Sequence, residues 1–155
     1  MTVDGVASEF DTAYAQTCRA PHGAQIPPIP PALIAAQERL AFSRQPGETL
    51  VATYRPDDPD GFGPALQIVT DQATTLMDSV TVLLHRLSVA YSWLAHPAVQ
   101  VRRDADGVLL DARPHQSGAA PDGIVESWIH LQLSRSVDPH AVAEAARLLP
   151  MVVAD

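Results

Sequence analysis

The chain has 155 residues, a hydrophobic fraction of 46% and a formal net charge of −8 at pH 7. This length suits one ordinary domain with its own core. The acidic balance argues against DNA or RNA as a partner, because phosphates are bound by basic surfaces. No run of about 18 apolar residues is present, so no membrane helix is predicted.

The residue types that are missing exclude several kinds of chemistry. All ten basic residues are arginine, so neither a Schiff-base lysine nor a phosphate-binding loop with its lysine is possible. The single cysteine, Cys18, excludes an internal disulfide and a cysteine-based zinc site. No two histidines are spaced three or four residues apart, so no helical metal site is predicted. The N-terminal residues lack the features of a secretory signal, and we expect a cytoplasmic protein.

Residues 1–48 are predicted to form an N-terminal arm. Glu9 to Cys18 favours a short helix, and Ala32 to Phe42 favours a second one with Pro31 at its first position. Between them, closely spaced prolines favour a polyproline II segment, which would be a stiff linker or an arm packed over the domain.

A strand, a turn and a helix follow in the middle of the chain. Thr49 to Arg55 alternates like a half-buried strand, and Ala65 to Thr70 reads as a buried one. Asp71 to Thr75 is polar and turn-like. From Leu76 the apolar residues recur at helical spacing, and Thr75 is expected to cap this helix.

The next segment predicts a long strand and a hairpin. Ala90 to Arg103 reads as a strand that Pro97 should interrupt. Asp104 to Gly107 is a hairpin turn, and Val108 to Arg113 is its return strand. Arg102 and Arg103 are expected at a solvated strand end, and Pro114 to Val125 is expected to be a loop.

The last segment predicts a strand and a helix. Glu126 to Ser134 alternates, with Ile129, Leu131 and Leu133 inward and Trp128, His130 and Gln132 on the other face. His130 and His96 lie on strands and could meet across the sheet. Asp138 should cap the last helix, and Pro150 should kink or end it.

These elements predict an α+β sandwich: a mostly antiparallel sheet with two helices on one face, preceded by the helical, proline-rich arm. A ferredoxin-like split βαβ arrangement fits this order. The strand at Thr49 to Arg55 is either an addition to that arrangement or a substitute for its usual last strand.

Three blocks of sequence carry a resemblance to a known family: LQIVTD with LMDSVT, then HPAVQVRRDADGVLL, then ESWIHLQL. In this order and spacing they resemble the N-terminal region of the large bacterial NAD-specific glutamate dehydrogenases, most closely the actinobacterial ones. The likeness runs from Thr49 to the C-terminus, and it implies an ACT-like regulatory domain over residues 49–155.

The resemblance also implies a role. The segment would be a non-catalytic regulatory or assembly domain, with no catalytic or cofactor-binding residue of its own, in a parent enzyme that uses NAD. Its partners would be other domains and subunits of that enzyme, in a homo-oligomer. Sheet edges, exposed tryptophans at Trp93 or Trp128, or the proline arm would provide the contacts.

An amino-acid sensor is the alternative. In ACT-like domains small ligands bind near the first strand–helix turn, which implies Asp71, Gln72, Asp78 and Ser79 as effector-binding residues here. The N-terminus of a helix offers unpaired N–H groups to a carboxylate, and Asp71 could accept an amino group. The interpretation favoured over sensing is that these residues serve only capping and packing, because Thr75 and Asp78 can use the same N–H groups as caps.

Overall fold

A six-stranded sheet lies between two layers of helices. The computed structural model describes residues 9–23, 25–115 and 124–154. The helices are α1 (Glu9–Gln16), α2 (Pro31–Leu40), α3 (Leu76–Arg86) and α4 (Pro139–Ala154). The strands are β1 (Leu50–Tyr54), β2 (Ala65–Asp71), β3 (Tyr91–Ala95), β4 (Ala98–Arg103), β5 (Leu109–Pro114) and β6 (Ile124–Leu133). None of these helices is long and apolar enough to cross a membrane.

Strand β6 is the centre of the sheet. It pairs with β2 along one edge, and with β3 and then β4 along the other. The interruption between β3 and β4 includes Pro97, as predicted, and the Pro97 carbonyl still accepts a hydrogen bond from the Trp128 amide. The two strands are therefore one predicted strand with a break.

The α+β prediction is confirmed, and the connection through α3 forms a split βαβ unit. Because β2 and β4 each run antiparallel to β6, they run parallel to each other with β6 between them. Strand β1 pairs antiparallel with the outer edge of β2, and β5 extends the opposite edge beside β4. Strand β1 thus lies at the edge of the sheet beside β2, where the usual last strand of a ferredoxin-like arrangement would lie.

Helices α3 and α4 cover one face of the sheet. Their buried side chains Val80, Leu84 and Leu149 pack with Ile68 and Ile129 from the central strands. The inward positions predicted for β6 and the helical apolar stripe from Leu76 are both confirmed.

The arm covers the other face. Tyr14 from α1 and Leu33 from α2 are buried against Trp93. Trp128 is fully buried and meets the Phe10 ring edge-on, with 5.5 Å between the ring centroids. The expectation that Trp93 or Trp128 is exposed for docking is therefore wrong, because the sheet is covered on both sides.

The structure tests three predictions about the ends of helices. Asp138 caps α4, since its Oδ1 accepts a hydrogen bond from the His140 amide at 3.0 Å. Thr75 stands at the start of α3, but its side chain makes no capping hydrogen bond, so that prediction is wrong. Helix α4 does not end at Pro150; it continues to Ala154, where Val152 and Val153 pack on the core and hold the last turn.

Candidate functional site

The predicted turn separates into two environments. Asp71 ends β2 and points into a cluster of arginine and carboxylate side chains, whereas Asp78 in the first turn of α3 borders a cavity. Gln72 is exposed and Ser79 is half-buried. Neither of them lines the cavity beside Asp78.

The cluster is organised around Glu126 in β6, which is fully buried. Its carboxylate accepts hydrogen bonds from Arg44 Nη1 at 2.9 Å, from Arg103 Nε and Nη2 at 3.0 Å each, and from Trp128 Nε1 at 3.2 Å. Because burial removes a carboxylate from water, its charge must be compensated by charged and polar donors, and four hydrogen bonds do so here.

Arg44 joins the arm to this cluster. Its side chain is only 2% exposed, and its Nη2 donates to Asp71 Oδ1 at 2.7 Å. Its Nε donates to the Glu48 carbonyl at 2.7 Å. Arg44 and Arg103 balance the charges of Glu126 and Asp71. No buried side-chain polar atom of the described residues is left without a hydrogen bond.

The cluster corrects one prediction. Arg102 is exposed as expected, but Arg103 is buried against Glu126 and also donates to the Gly107 carbonyl at 2.8 Å. Arg44 was not predicted to take part in a site, because no motif surrounds it in the sequence. The available signal was Glu126, which shares a strand face with Trp128 and His130 and, once buried, requires a cationic partner.

Asp78 lies on a cavity of about 470 Å³ between α3 and the end of α1. The cavity is also lined by Arg19, Thr17, Thr81 and His96. It thus presents a carboxylate and a guanidinium together, the two charges that an amino acid requires. Asp71 does not line it, and its carboxylate is already occupied by Arg44.

His130 is buried among amide side chains beneath the arm. Its Nδ1 accepts from Gln67 Nε2 at 3.1 Å, and its Nε2–H donates to Gln132 Oε1 at 2.9 Å. These partners fit the neutral imidazole, and burial lowers the pKa of His130 to about 4. This environment makes His130 a structural group at neutral pH.

His96 does not face His130, whose neighbour on β3 is Ala95. His96 Nε2 lies 3.1 Å from Ser127 Oγ. This pair is unsuited to nucleophilic catalysis, because Ser127 is fully buried and no substrate could reach its hydroxyl. Burial lowers the pKa of His96.

The described residues contain no group of three or more side chains that could hold a metal ion. Cys18 is a free thiol, and burial raises its pKa, which disfavours the reactive thiolate.

Comparisons with known proteins agree in one family. A family model described as "Glutamate dehydrogenase, ACT1 domain" matches residues 32–149. The chain is 49% identical over 127 residues to the NAD-specific glutamate dehydrogenase of Mycobacterium tuberculosis (strain ATCC 25618 / H37Rv). The aligned region is 82% of this chain but 8% of that relative, so the chain spans a small part of the length of the relative.

Proposed function

Because the chain belongs to the glutamate dehydrogenase ACT1-domain family, we propose that it is a non-catalytic regulatory and assembly domain of a larger NAD-dependent glutamate dehydrogenase. The match to the ACT1 domain over residues 32–149 carries this proposal. The ACT-like fold expected from the sequence is confirmed by the same match.

The parent enzyme would oxidise glutamate with NAD to 2-oxoglutarate and ammonium, in the cytoplasm. In this proposal catalysis and NAD binding belong to parts of the parent outside this domain, and the length of the relative, of which the aligned region is 8%, is consistent with such parts. This domain would contribute contacts to other domains and subunits of a homo-oligomer. Ion pairs of Arg44 and Arg103 with Asp71 and Glu126 connect neighbouring strands of its sheet, and a sheet connected in this way suits a rigid docking unit.

Deleting the domain from the full-length parent tests this role. We expect the deletion to lower the number of subunits in the oligomer, calculated from the molar mass that light scattering measures after size exclusion and from the mass of the shortened subunit, or to change the response of NADH formation to effectors. The isolated chain should produce no NADH from glutamate. A deletion that leaves both the assembly and the effector response unchanged would contradict the proposal.

Amino-acid sensing is the second candidate, and the cavity between Asp78 and Arg19 supports it. The ammonium group of the ligand would pair with Asp78 and its carboxylate with Arg19. A ligand at one hundred times its dissociation constant adds about 2.7 kcal/mol of stability. For a domain of this size we expect a melting temperature higher by roughly 5–10 °C.

A thermal-shift screen with amino acids, 2-oxoglutarate and adenine nucleotides measures this directly. The Asp78→Asn variant should lose the shift, and Asp111→Asn, a half-buried residue of β5 that does not line this cavity, should keep it. A ligand whose shift survives Asp78→Asn binds elsewhere. No shift for any amino acid would leave the assembly role as the proposal.

A further inference from the structure

A second cavity, of about 580 Å³, lies at the other end of β3, beneath the proline segment of the arm. Its walls include Pro28 and Pro30 from the arm, Phe62 from the loop before β2, and Trp93 from β3. Arg135, just after β6, stands on the lining. The volume falls in the range that small-molecule sites occupy in proteins.

The aromatic wall is held rigidly. Phe62 and Trp93, each 5% exposed, both pack on the His130 ring, with centroid distances of 5.9 Å and 5.0 Å. Tyr54 supports Phe62 at 4.8 Å. The prolines of the lining have fixed backbone angles and no N–H donor. A preformed wall of this kind lowers the entropy cost of binding a flat, apolar group.

The charge in this cavity comes from Arg135. Within the parts of the chain that the structure describes, the carboxylates that form salt bridges are paired with other arginines, and none pairs with Arg135. The remaining polar lining, Gln25, Ser92, Gln132 and Ser134, is uncharged. A planar guanidinium suits a carboxylate, which it can bind through two parallel hydrogen bonds.

We propose that this cavity binds a small carboxylate that carries a flat, apolar ring. The ring lies between the prolines and the Phe62–Trp93 wall, and the carboxylate pairs with Arg135. The site differs in position and chemistry from the cavity beside Asp78, because no carboxylate lines it to accept an ammonium group.

Fluorine NMR of the full chain labelled with 5-fluorotryptophan tests the site, because Trp93 and Trp128 are its two tryptophans. We use phenylacetate as the probe and phenylacetamide as its neutral control. The expected result is a saturable shift of the Trp93 resonance with phenylacetate, little change at Trp128, and binding by the amide weaker by at least about threefold. Phenylalanine resonances would not report, since fluorine is confined to tryptophan.

Two arginine variants complete the test. Arg135→Gln should weaken phenylacetate binding by at least about threefold, whereas Arg86→Gln, an exposed arginine at the end of α3, should leave it unchanged. Because both side chains are exposed, both variants should fold. No saturable shift, equal binding of the acid and the amide, or equal effects of the two variants would overturn the proposal.

Discussion

Glu126 is the residue on which the largest number of buried charges depend. Glu126→Gln removes the negative charge that Arg44 and Arg103 face, and leaves two guanidinium groups buried side by side. We expect a loss of about 3–5 kcal/mol in the free energy of unfolding, measured with urea. Asp111→Asn breaks an exposed ion pair with Arg113 and should cost less than about 1 kcal/mol. Equal losses in the two variants would contradict this view of the cluster.

His130 should make stability depend on pH. An unfolded histidine has a pKa near 6.5, and burial lowers the folded value to about 4. Between these values the unfolded state binds more protons, so stability is fully present above the unfolded pKa and is lost as pH falls towards 4. The loss is expected to reach about 3 kcal/mol.

Urea unfolding at several pH values separates this effect from others. His130→Gln should lower the slope of the free energy of unfolding against pH by the equivalent of about one proton. Some slope should remain, because burial also lowers the pKa of His96. An unchanged slope in His130→Gln would rule out His130 as its source.

At the scale of elements, the β4–β5 hairpin is docked on the loop that follows α2. The turn residue Gly107 has φ +87°, its carbonyl accepts a hydrogen bond from the Arg44 amide at 3.0 Å, and a Cβ there would lie 2.4 Å from the Arg44 carbonyl oxygen. Gly107→Ala should therefore both strain the turn and push the loop away. We expect a loss of about 2–4 kcal/mol.

Gly47→Ala is the matched control. Gly47 has φ +81°, but a Cβ there would meet nothing within 4 Å. The backbone strain alone should cost about 1 kcal/mol. If thermal unfolding shows the same loss for both variants, the close approach of the hairpin to the loop contributes nothing.

At the scale of the molecule, the arm is expected to behave as part of the domain core. The division into an arm of residues 1–48 and a domain of residues 49–155 stays a prediction. A chain that starts at residue 49 would lose Arg44 and expose the face that includes Trp93 and Trp128. We expect it to bind a hydrophobic dye and to unfold without a sharp transition.

A chain that starts at residue 9 keeps every described contact and serves as the control. It should show native tryptophan emission and one cooperative transition. A chain from residue 49 that unfolds equally sharply would support the predicted boundary instead.

Local pattern was sufficient for most of the elements but not for the second layer of the sandwich. The spacing of Leu76, Val80 and Leu84 identifies α3, because that periodicity is a property of one helix. The same reasoning predicted an exposed Trp128, because Phe10, which covers it, lies in α1 and is far away in the sequence.

The candidate site shows the same division. Asp78 lines a cavity, but its neighbour Arg19 comes from the arm, and effector binding at Asp78 stays a prediction. The pairing of Arg44 with Glu126 joins residues 82 positions apart, and no local period records such a contact. The loop prediction for residues 114–125 lies mostly outside the described residues, since 116–123 are not described.

The central position of β6 has a consequence for synthesis on the ribosome. Strands β2, β3 and β4 are all synthesised before β6, the strand with which each of them pairs. One edge of each strand therefore stays unpaired until Leu133 has left the exit tunnel. Unpaired edges invite association with other nascent chains. The arm, which is made earlier, packs on one face of these strands and does not pair the edges that β6 later fills. The order of synthesis therefore leaves the incomplete sheet exposed to edge-to-edge association until its last strand is made.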